Sequence, residues 1–330
     1  MRSLFSRAAV AAGATVMLLG PVVGLIGIAG PAQAAFPGAN GRIVFDTSFS
    51  HRPQIFTIRP DGTGLRQLTH VAKGHAASSP EFSPDGTRIV FTIDGQIWVM
   101  NADGSAQRQL TNQAGFANLQ PSWSPDGRKI VFSHCPVPFG FTVCDLDVMN
   151  ADGSGMKKLL GGNWANQVPE YSPNGHQIAF ASNRGGYISA VWVMNANGGG
   201  VKRLTDPNLE AGNPDWSPDG THILFGTNCC RPRSQVWVMN ADGSSPHPLT
   251  HMPPRGDAPM ASYSPDGHQI VLLTNLNQLA HPTLCCWDLY LMNADGSHLH
   301  LITTQDAGVT SPDWGPTAMS AAPGRRPVRG

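Results

Sequence analysis

The chain has 330 residues, of which 22 are basic and 22 acidic, so its formal net charge is zero. Removal of residues 1–34, which we interpret below as a targeting segment, deletes two arginines and no acid and leaves 20 basic against 22 acidic residues. A near-neutral chain gives no electrostatic reason to expect nucleic acid as a partner, and we expect none.

The N-terminus has the three parts of a secretory signal peptide. Arg2 and Arg7 precede an apolar stretch over residues 8–29, and Ala32–Ala34 forms a small-x-small cleavage site. This pattern predicts a signal peptide over residues 1–34. The alternative is an uncleaved membrane anchor, because the apolar stretch is close to spanning length. No cysteine follows the cleavage site, which disfavours a lipoprotein.

Two short turn motifs recur along the rest of the chain. The first motif, Ser-Pro-Asp-Gly or a close variant, is found at Ser83–Gly86, Ser124–Gly127, Ser172–Gly175, Ser217–Gly220 and Ser264–Gly267, with a degraded copy at Gly315–Pro316. The second motif, Asn-Ala-Asp-Gly or a variant, is found at Arg59–Gly62, Asn101–Gly104, Asn150–Gly153, Asn195–Gly198, Asn240–Gly243 and Asn293–Gly296. A repeat of roughly 40 to 50 residues built from turns and β-rich runs is typical of a β-propeller.

Each repeat resolves into four predicted strands. The first strand ends on an aromatic residue: Phe82, Trp123, Tyr171, Trp216, Tyr263 or Trp314. A Ser-Pro-Asp-Gly turn leads into a β-branched second strand such as Arg88–Phe91, which is apolar on both faces as expected between two neighbouring blades. The third strand, such as Gln96–Met100, turns at Asn-Ala-Asp-Gly into a polar fourth strand such as Arg108–Thr111. Lysine and arginine on this outer edge discourage edge-to-edge pairing.

The two ends of the repeat array are out of phase. The first repeat starts at its second strand, Arg42–Phe45, whereas Pro312–Trp314 is a first strand with nothing after it. Together the two ends make one complete blade. The sequence therefore predicts an all-β fold: a six-bladed β-propeller of four-stranded antiparallel blades over residues 38–316, closed by pairing of the C-terminal strand with the N-terminal blade. The tail, residues 317–330, is rich in Pro, Gly and Arg and is predicted to be disordered.

The repeat resembles a known family. The pattern Pro-x-Trp-Ser-Pro-Asp-Gly-x-x-Ile-x-Phe, followed by Ile-Trp-Val-Met-Asn-Ala-Asp-Gly and Leu-Thr, is similar to the TolB-type β-propeller repeat, a relative of the WD-repeat blade. The resemblance covers about residues 38–316. Members of that family include periplasmic TolB proteins that bind colicins and lipoproteins, the propeller halves of prolyl-oligopeptidase-like peptidases, and a few lyases.

The chain departs from those relatives in two respects that bear on function. TolB has a separate α/β domain ahead of its propeller, whereas only a few residues separate the predicted signal peptide from the first strand here. The peptidases need an α/β-hydrolase domain with a Gly-x-Ser-x-Gly motif, and this sequence has no such segment. The fold alone does not supply a function.

The resulting functional hypothesis is a secreted or envelope-associated, non-catalytic scaffold. We expect a monomer in the periplasm, cell envelope or extracellular space, with a protein or cell-envelope ligand and no stable membrane span after processing. The alternative is a hydrolase or lyase acting on a polysaccharide or peptide. A His/Glu/Asp cluster assembled from several blades would distinguish it. The candidate histidines are His51, His70, His75, His134, His251 and His281.

Six cysteines agree with export, because an oxidising compartment favours disulfides. The candidates are Cys135, Cys144, Cys229, Cys230, Cys285 and Cys286, all predicted in loops between second and third strands. Cys135 and Cys144 are expected to clip one long hairpin. For the two Cys-Cys pairs there are two alternatives: disulfides between the adjacent blades, or strained vicinal disulfides within each pair. Metal binding is the rival interpretation, although no pair has the Cys-x-x-Cys spacing that zinc sites favour.

The two ends of the ring differ in the segments that form them. Both Gly-rich turns of every blade lie at one end, here named the turn face, and the longer second-to-third-strand and inter-blade loops lie at the other, the loop face. Binding residues tend to lie on such loops above a rigid scaffold. The candidate ligand-binding residues there are Phe139, Phe141, Arg184, Arg231, Arg233 and Trp287. The alternative is that the aromatic members fill space beneath the loops.

Four blades place a carboxylate directly before the aromatic residue of the first strand. These residues are Glu81, Glu170, Asp215 and Asp313. Carboxylates converging on a central channel are candidate ligands of a hard cation such as calcium. The simpler interpretation is that each accepts hydrogen bonds from backbone N–H groups of a neighbouring blade. No other cofactor is expected.

Overall fold

The structure is a computed structural model of the 330-residue chain. It describes residues 37–47, 53–137, 142–186, 188–206, 208–230, 233–280, 287–303 and 308–318. Every described residue belongs to one compact unit within Ala32–Gly330. Within the described ranges, no helix is long and apolar enough to cross a membrane.

Six four-stranded antiparallel sheets form the blades of a propeller, as the repeats predict. Blade 1 contains β1 (Asn40–Thr47), β2 (Gln54–Ile58), β3 (Arg66–Gln67) and β24 (Val309–Pro316). Blade 2 contains β4 (Ala77–Phe82), β5 (Arg88–Ile93), β6 (Gln96–Asn101) and β7 (Arg108–Gln109). Blade 3 contains β8 (Phe116–Trp123), β9 (Lys129–Pro136), β10 (Asp145–Asn150) and β11 (Lys157–Leu160).

The remaining three blades follow the same order. Blade 4 contains β12 (Asn166–Tyr171), β13 (Gln177–Ser182), β14 (Ala190–Asn195) and β15 (Lys202–Arg203). Blade 5 contains β16 (Ala211–Trp216), β17 (His222–Cys230), β18 (Arg233–Asn240) and β19 (His247–Pro248). Blade 6 contains β20 (Ala261–Tyr263), β21 (Gln269–Thr274), β22 (Asp288–Asn293) and β23 (His300–Leu301), with a short helix, α1 (Leu276–Ala280), between β21 and β22.

The Ser-Pro-Asp-Gly segments are tight turns held by their own side chains. In blade 2 the amide of Gly86 donates to the carbonyl of Ser83 at 2.8 Å, and Gly86 has a φ of 67° that favours glycine. The Asp85 carboxylate accepts from the Ser83 hydroxyl at 2.6 Å and the Thr87 amide at 3.0 Å. The repeated turn therefore fixes the register between the first and second strands of each blade.

Blade 1 closes the ring with strands from both ends of the described chain. β24 pairs antiparallel with β1, and Trp314 lies opposite Ile43 in the register. The order β24-β1-β2-β3 is the one that the out-of-phase repeats predict. Burial of Trp314 and Val309 within the core formed with blade 6 makes this strand part of the structural framework.

The hydrophobic core lies between adjacent blades. Second-strand residues such as Phe91, Phe132 and Phe180 are fully buried, because each blade covers one face of the next. The fourth strands are short and exposed, as the Lys and Arg pattern predicts. One apolar cluster therefore lies at each of the six blade interfaces, around a central channel.

The positions of two cysteines differ from the prediction. Cys229 and Cys230 lie in β17 and not in a loop, because this strand extends to nine residues and pairs with β18 as far as Arg233. Cys285 and Cys286 lie outside the described residues.

Candidate functional site

The first strands of the blades line a central channel that opens on the loop face. Its outer part is a cavity of about 140 Å³. Each first strand runs from the loop face inward, so Ser79 and Gln120 lie near the mouth and Glu81 and Glu170 lie deeper. The channel is therefore layered, with uncharged side chains outside and carboxylates inside.

The mouth of the channel has a ring of unusual backbone that the sequence analysis missed. In five blades a non-glycine residue immediately before a proline has a positive φ of 46° to 52°: Ser79, Gln120, Val168, Asn213 and Ser311. The strand register shifts at these places, as expected for a β-bulge. The sequence signal from which these bulges could have been predicted is a proline at the same position in five first strands.

Side chains of this mouth region reach from one blade to the next. The Val168 amide donates to Oε1 of Gln120 at 3.1 Å, and Nδ2 of Asn213 donates to the Pro259 carbonyl at 3.2 Å. At the closing blade, Asp46 accepts from the Ser79 amide at 3.2 Å. Burial raises the pKa of Asp46 to about 6. These bonds hold the bulges of neighbouring blades at a fixed spacing.

Three of the four channel carboxylates accept a hydrogen bond from the next blade. Asp313 accepts from the Phe82 amide at 2.8 Å, Glu81 from the Trp123 amide at 2.7 Å, and Asp215 from the Tyr263 amide at 2.8 Å. For these three residues the backbone-capping interpretation is confirmed. The carboxylates thus link blade 1 to blade 2, blade 2 to blade 3, and blade 5 to blade 6.

Enclosure in the channel favours the neutral form of all four carboxyl groups. Burial raises the pKa of Asp215 to about 8 and that of Asp313 to about 7. Burial, followed by repulsion from the other channel carboxylates, raises the pKa values of Glu81 and Glu170 well above their usual range. The group therefore carries less negative charge at neutral pH than its composition implies.

The described part of the chain has no group of three or more His, Cys, Asp or Glu side chains placed to hold a metal ion. Three of the channel carboxylates also use an oxygen to bind a backbone amide, as described above. A calcium site formed by these carboxylates stays a prediction, and the function proposed below does not depend on it.

The predicted loop-face residues are distributed among three environments. Arg184 is half-buried, donates to Oδ1 of Asn166 at 3.0 Å and lies 5.6 Å from the ring centroids of both Phe180 and Trp192. Trp287 packs partly buried against the core between blades 6 and 1. Phe139, Phe141 and Arg231 lie outside the described residues, as does the side chain of Arg233.

The histidines of the loop face lie in separate pairs. His75 contacts the carboxylate of Asp94 within blade 2, and Nδ1 of His134 lies 2.7 Å from Oδ1 of Asn118 within blade 3. Since Asn118 Oδ1 is an acceptor, His134 carries its proton on Nδ1. His51 and His281 lie outside the described residues. Nδ1 of His70 lies 3.1 Å from Nε2 of Gln67, and no contact places His251 beside another of these histidines in the described part of the chain.

A group of exposed apolar side chains lies on the loop face of blades 3 and 4. Seven large apolar side chains are exposed in the described part of the chain, and four of them belong to this group, here named the loop-face patch: Phe116, Val137, Trp164 and Ile188. The other three, Leu65, Leu299 and Leu301, flank or belong to outer fourth strands. Apolar exposure is therefore concentrated in one sector of the loop face.

A disulfide holds two parts of the loop-face patch together. Cys135 and Cys144 are bonded, as predicted for this pair. The Cys144 amide donates to the Trp164 carbonyl at 2.9 Å, and the Asn166 amide donates to the Cys144 carbonyl at 3.2 Å. The bridge thus joins the end of β9, next to Val137, to the segment that carries Trp164.

Comparison with known families identifies the repeat. The family model described as the TolB beta propeller domain matches residues 35–137 and 153–281, well over half of the chain. The chain belongs to the TolB β-propeller family. The Tol-Pal system protein TolB of Anaeromyxobacter dehalogenans strain 2CP-C is 38% identical over 78 residues. That match spans 22% of this chain and 17% of the relative, so the chain covers about a sixth of the curated relative.

Solved structures share the propeller at low sequence identity. TolB from Acinetobacter baumannii has a TM-score of 0.67 at 21% identity, over 84% of this chain and 67% of that one. An oligogalacturonate lyase in complex with manganese has a TM-score of 0.58 at 16% identity, over 82% of this chain and 77% of that one. At such identities the likeness demonstrates the fold alone.

Proposed function

We propose that this chain is an exported, non-catalytic scaffold that binds a protein or cell-envelope ligand through the loop face of blades 3 and 4. The observation that carries the proposal is the concentration of exposed apolar side chains in the loop-face patch. Exposed apolar groups that cluster on a soluble domain commonly mark an interaction surface. The other three exposed apolar side chains, Leu65, Leu299 and Leu301, lie in or beside the outer fourth strands of blades 1 and 6.

The contacts that hold the patch residues in place are compatible with a binding surface. Phe116 stacks on the His134 ring with centroids 4.3 Å apart, and the Cys135–Cys144 disulfide fixes the segment next to Trp164. A surface that is rigid before binding loses less conformational entropy when a partner docks. Aromatic side chains held in this way are frequent energetic centres of interfaces. Phe139 and Phe141, predicted in the adjoining loop, remain candidate members of the same surface.

The predicted signal peptide and the disulfide favour a periplasmic or extracellular location. Curated relatives are described as Tol-Pal system proteins. Their name supports a protein partner of the cell envelope for this chain as well. We expect the processed protein to act as a monomer.

The test compares two triple variants of the mature protein. One variant changes Phe116, Trp164 and Ile188 to serine, and the matched control changes Leu65, Leu299 and Leu301 to serine. Each form is immobilised and exposed to envelope extract of the source organism, and bound proteins are quantified by mass spectrometry. We expect the patch variant to lose specific partners that the wild type and the control variant retain.

Two results would contradict the proposal. The first is an identical set of captured partners for all three forms. The second is a loss of capture that parallels a fall in melting temperature of the patch variant, because the side chains would then act in packing. A further variant, F139S/F141S, tests whether the adjoining loop belongs to the same surface.

A further inference from the structure

A second cavity lies at the turn face between blades 3 and 4, at the opposite end of the ring from the loop-face patch. Its volume is about 520 Å³, within the range of small-molecule sites. Pro125 and Pro173 of two successive turns form part of its wall, together with the ring of Tyr171. The site therefore combines an apolar wall with polar groups at its rim.

A change of two residue types explains why the cavity opens at this blade interface. Between blades 2 and 3, the guanidinium of Arg88 covers the ring of Trp123, 4.6 Å from its centroid. Between blades 3 and 4, the equivalent positions hold Lys129 and Tyr171, and both line the cavity. A lysine and a tyrosine occupy less volume than an arginine stacked on a tryptophan, so space remains between the blades.

Tyr171 presents a hydrogen-bond donor that the protein does not use. The residue is only 4% exposed, it lines the cavity, and its hydroxyl has no hydrogen-bond partner in the described part of the chain. Burial raises the pKa of Tyr171 to about 12, so the hydroxyl keeps its proton at neutral pH. The hydroxyl itself is in contact with solvent, so a ligand in the cavity can replace water as its partner.

Blade 4 is also the blade whose turns lack negative charge. Its Ser-Pro-x-Gly and Asn-Ala-x-Gly turns have Asn174 and Asn197, where every other complete copy has aspartate. Asn174 lines the cavity. Oδ1 of Asn174 accepts from the Ser172 hydroxyl and the His176 amide, both at 2.9 Å. The outward atom is therefore the Nδ2 donor, where an aspartate would have a second carboxylate oxygen.

The charged groups at the rim include one cationic side chain, Lys129, that is available to contact a ligand. Lys129 has no ion pair among the described residues, and His176 also lines the cavity. The one carboxylate at the rim is Asp126, whose Oδ1 accepts from the Ser124 hydroxyl at 2.6 Å and the Arg128 amide at 3.0 Å. Lys129, Tyr171 and Asn174 thus offer three donors at the cavity beside one carboxylate, Asp126, whose charge also helps to raise the pKa of Tyr171.

We propose that the turn-face cavity between blades 3 and 4 binds a small ligand through an oxyanion, either a carboxylate or a phosphate. Nζ of Lys129, the hydroxyl of Tyr171 and Nδ2 of Asn174 donate to the oxyanion, and the two prolines contact the rest of the ligand. Charge-assisted hydrogen bonds from several donors are the usual means of holding such a group. This site is separate from the loop face and does not depend on the function proposed there.

The decisive variant is Asn174→Asp, because it restores the residue that the other repeats use in the same turn. Its turn should remain intact, while a carboxylate oxygen replaces the donor that faces the cavity. The matched control is Asn197→Asp, the same substitution in the other turn of the same blade, where Oδ1 accepts from the Gly199 amide at 3.0 Å. Lys129→Gln and Tyr171→Phe remove the other two donors.

Binding is measured by isothermal titration calorimetry of the mature protein with inorganic phosphate and, separately, with acetate. We expect saturable binding of at least one anion, weakened about tenfold or more by N174D and K129Q, and close to wild type in N197D. Y171F should weaken binding several-fold. Preference for phosphate or acetate identifies the kind of oxyanion. Absence of saturable binding by both probes, or equal binding by N174D and N197D in folded protein, would overturn the proposal.

Discussion

Asp215 accepts the Tyr263 amide of the next blade while lying close to other carboxylates in the channel. The hydrogen bond favours the ionised form, but burial has the larger effect and raises the pKa to about 8. In the unfolded chain the same group ionises near 3.8. The folded protein therefore binds this proton more tightly, and the free energy of unfolding falls as pH rises from about 4 to about 8.

The substitution Asp215→Asn should reduce this pH dependence. Asparagine keeps an oxygen for the Tyr263 amide but carries no charge, so we expect the two stabilities to be similar near pH 4 and the variant to gain stability over the wild type, by roughly 1–3 kcal/mol, as pH rises to about 8. Urea denaturation from about pH 4 to about pH 8 measures the effect. Asp103→Asn is the control, because hydrogen bonds to Ser105 lower the pKa of Asp103 and keep it ionised throughout. A wild-type stability that does not vary over this range would refute the expectation.

Among the bulge residues at the channel mouth, Val168 has the side chain that is least compatible with a positive φ. Its φ is 49°, a conformation that β-branched residues rarely adopt, whereas the equivalent residue of blade 5 is Asn213 at 50°. Asparagine is several times more frequent than valine in this region of backbone space. The bulge of blade 4 is therefore held in place by its surroundings, including the bond from its amide to Gln120.

Replacing Val168 by asparagine should stabilise the protein by about 1 kcal/mol, the lower end of the cost of such backbone conformations. The midpoint of urea unfolding measures this change. Val137→Asn is the control, since Val137 is exposed and does not have a positive φ. A fall in stability for V168N would mean that packing of the valine side chain outweighs the backbone effect.

At the scale of single elements, the hairpin of blade 3 is closed by a disulfide and is hydrogen-bonded to the segment that leads into blade 4. Its disulfide closes a loop with a sequence separation of 9 residues, and Cys144 bonds to the segment that enters blade 4. The bridge therefore restricts the unfolded chain and also orders part of the loop-face patch.

Changing both Cys135 and Cys144 to serine should lower the free energy of unfolding by about 2–3 kcal/mol, as expected for a loop of this length. It should also weaken partner capture by the loop face, because Trp164 loses part of its support. Calorimetric melting and the capture assay test the two effects on one variant. Unchanged stability together with unchanged capture would show that the bridge has neither role.

The strands and turns were predicted well because the same sequence pattern recurs in every repeat. Turn residues such as Asp85 and Gly86 determine strand ends by local chemistry, and local chemistry can be recognised without a structure. The bulges before Pro80 and Pro121 were missed because a bulge depends on pairing between strands. The patch and the turn-face cavity were missed for a related reason: exposure and empty space depend on which side chains meet across a blade interface.

At the scale of the whole molecule, closure depends on one strand. β24 supplies the first strand of blade 1 and buries Trp314 against the cores of neighbouring blades. Loss of this strand would leave β1 unpaired on one edge and expose apolar surface on both sides of the gap. The ring has no second connection that could take over this role within the described chain.

A chain that ends before Val309 should therefore lose its single cooperative unfolding transition and melt at lower temperature. The matched control ends after Ala318, so it lacks only residues outside the described part of the chain and should melt like the full-length mature protein. Calorimetry of the two truncated forms makes the comparison. A cooperative transition that survives the shorter truncation would contradict closure by β24.

The shared blade also makes the order of synthesis matter. The ribosome produces β1 first and β24 last, yet these two strands are neighbours in the finished sheet. Blades 2 to 6 contain only consecutive segments and can form as the chain emerges, whereas blade 1 cannot. A premature stop would leave β1 with an open edge that chaperones and proteases can engage. Blade 1 is therefore complete only when the chain includes Pro316.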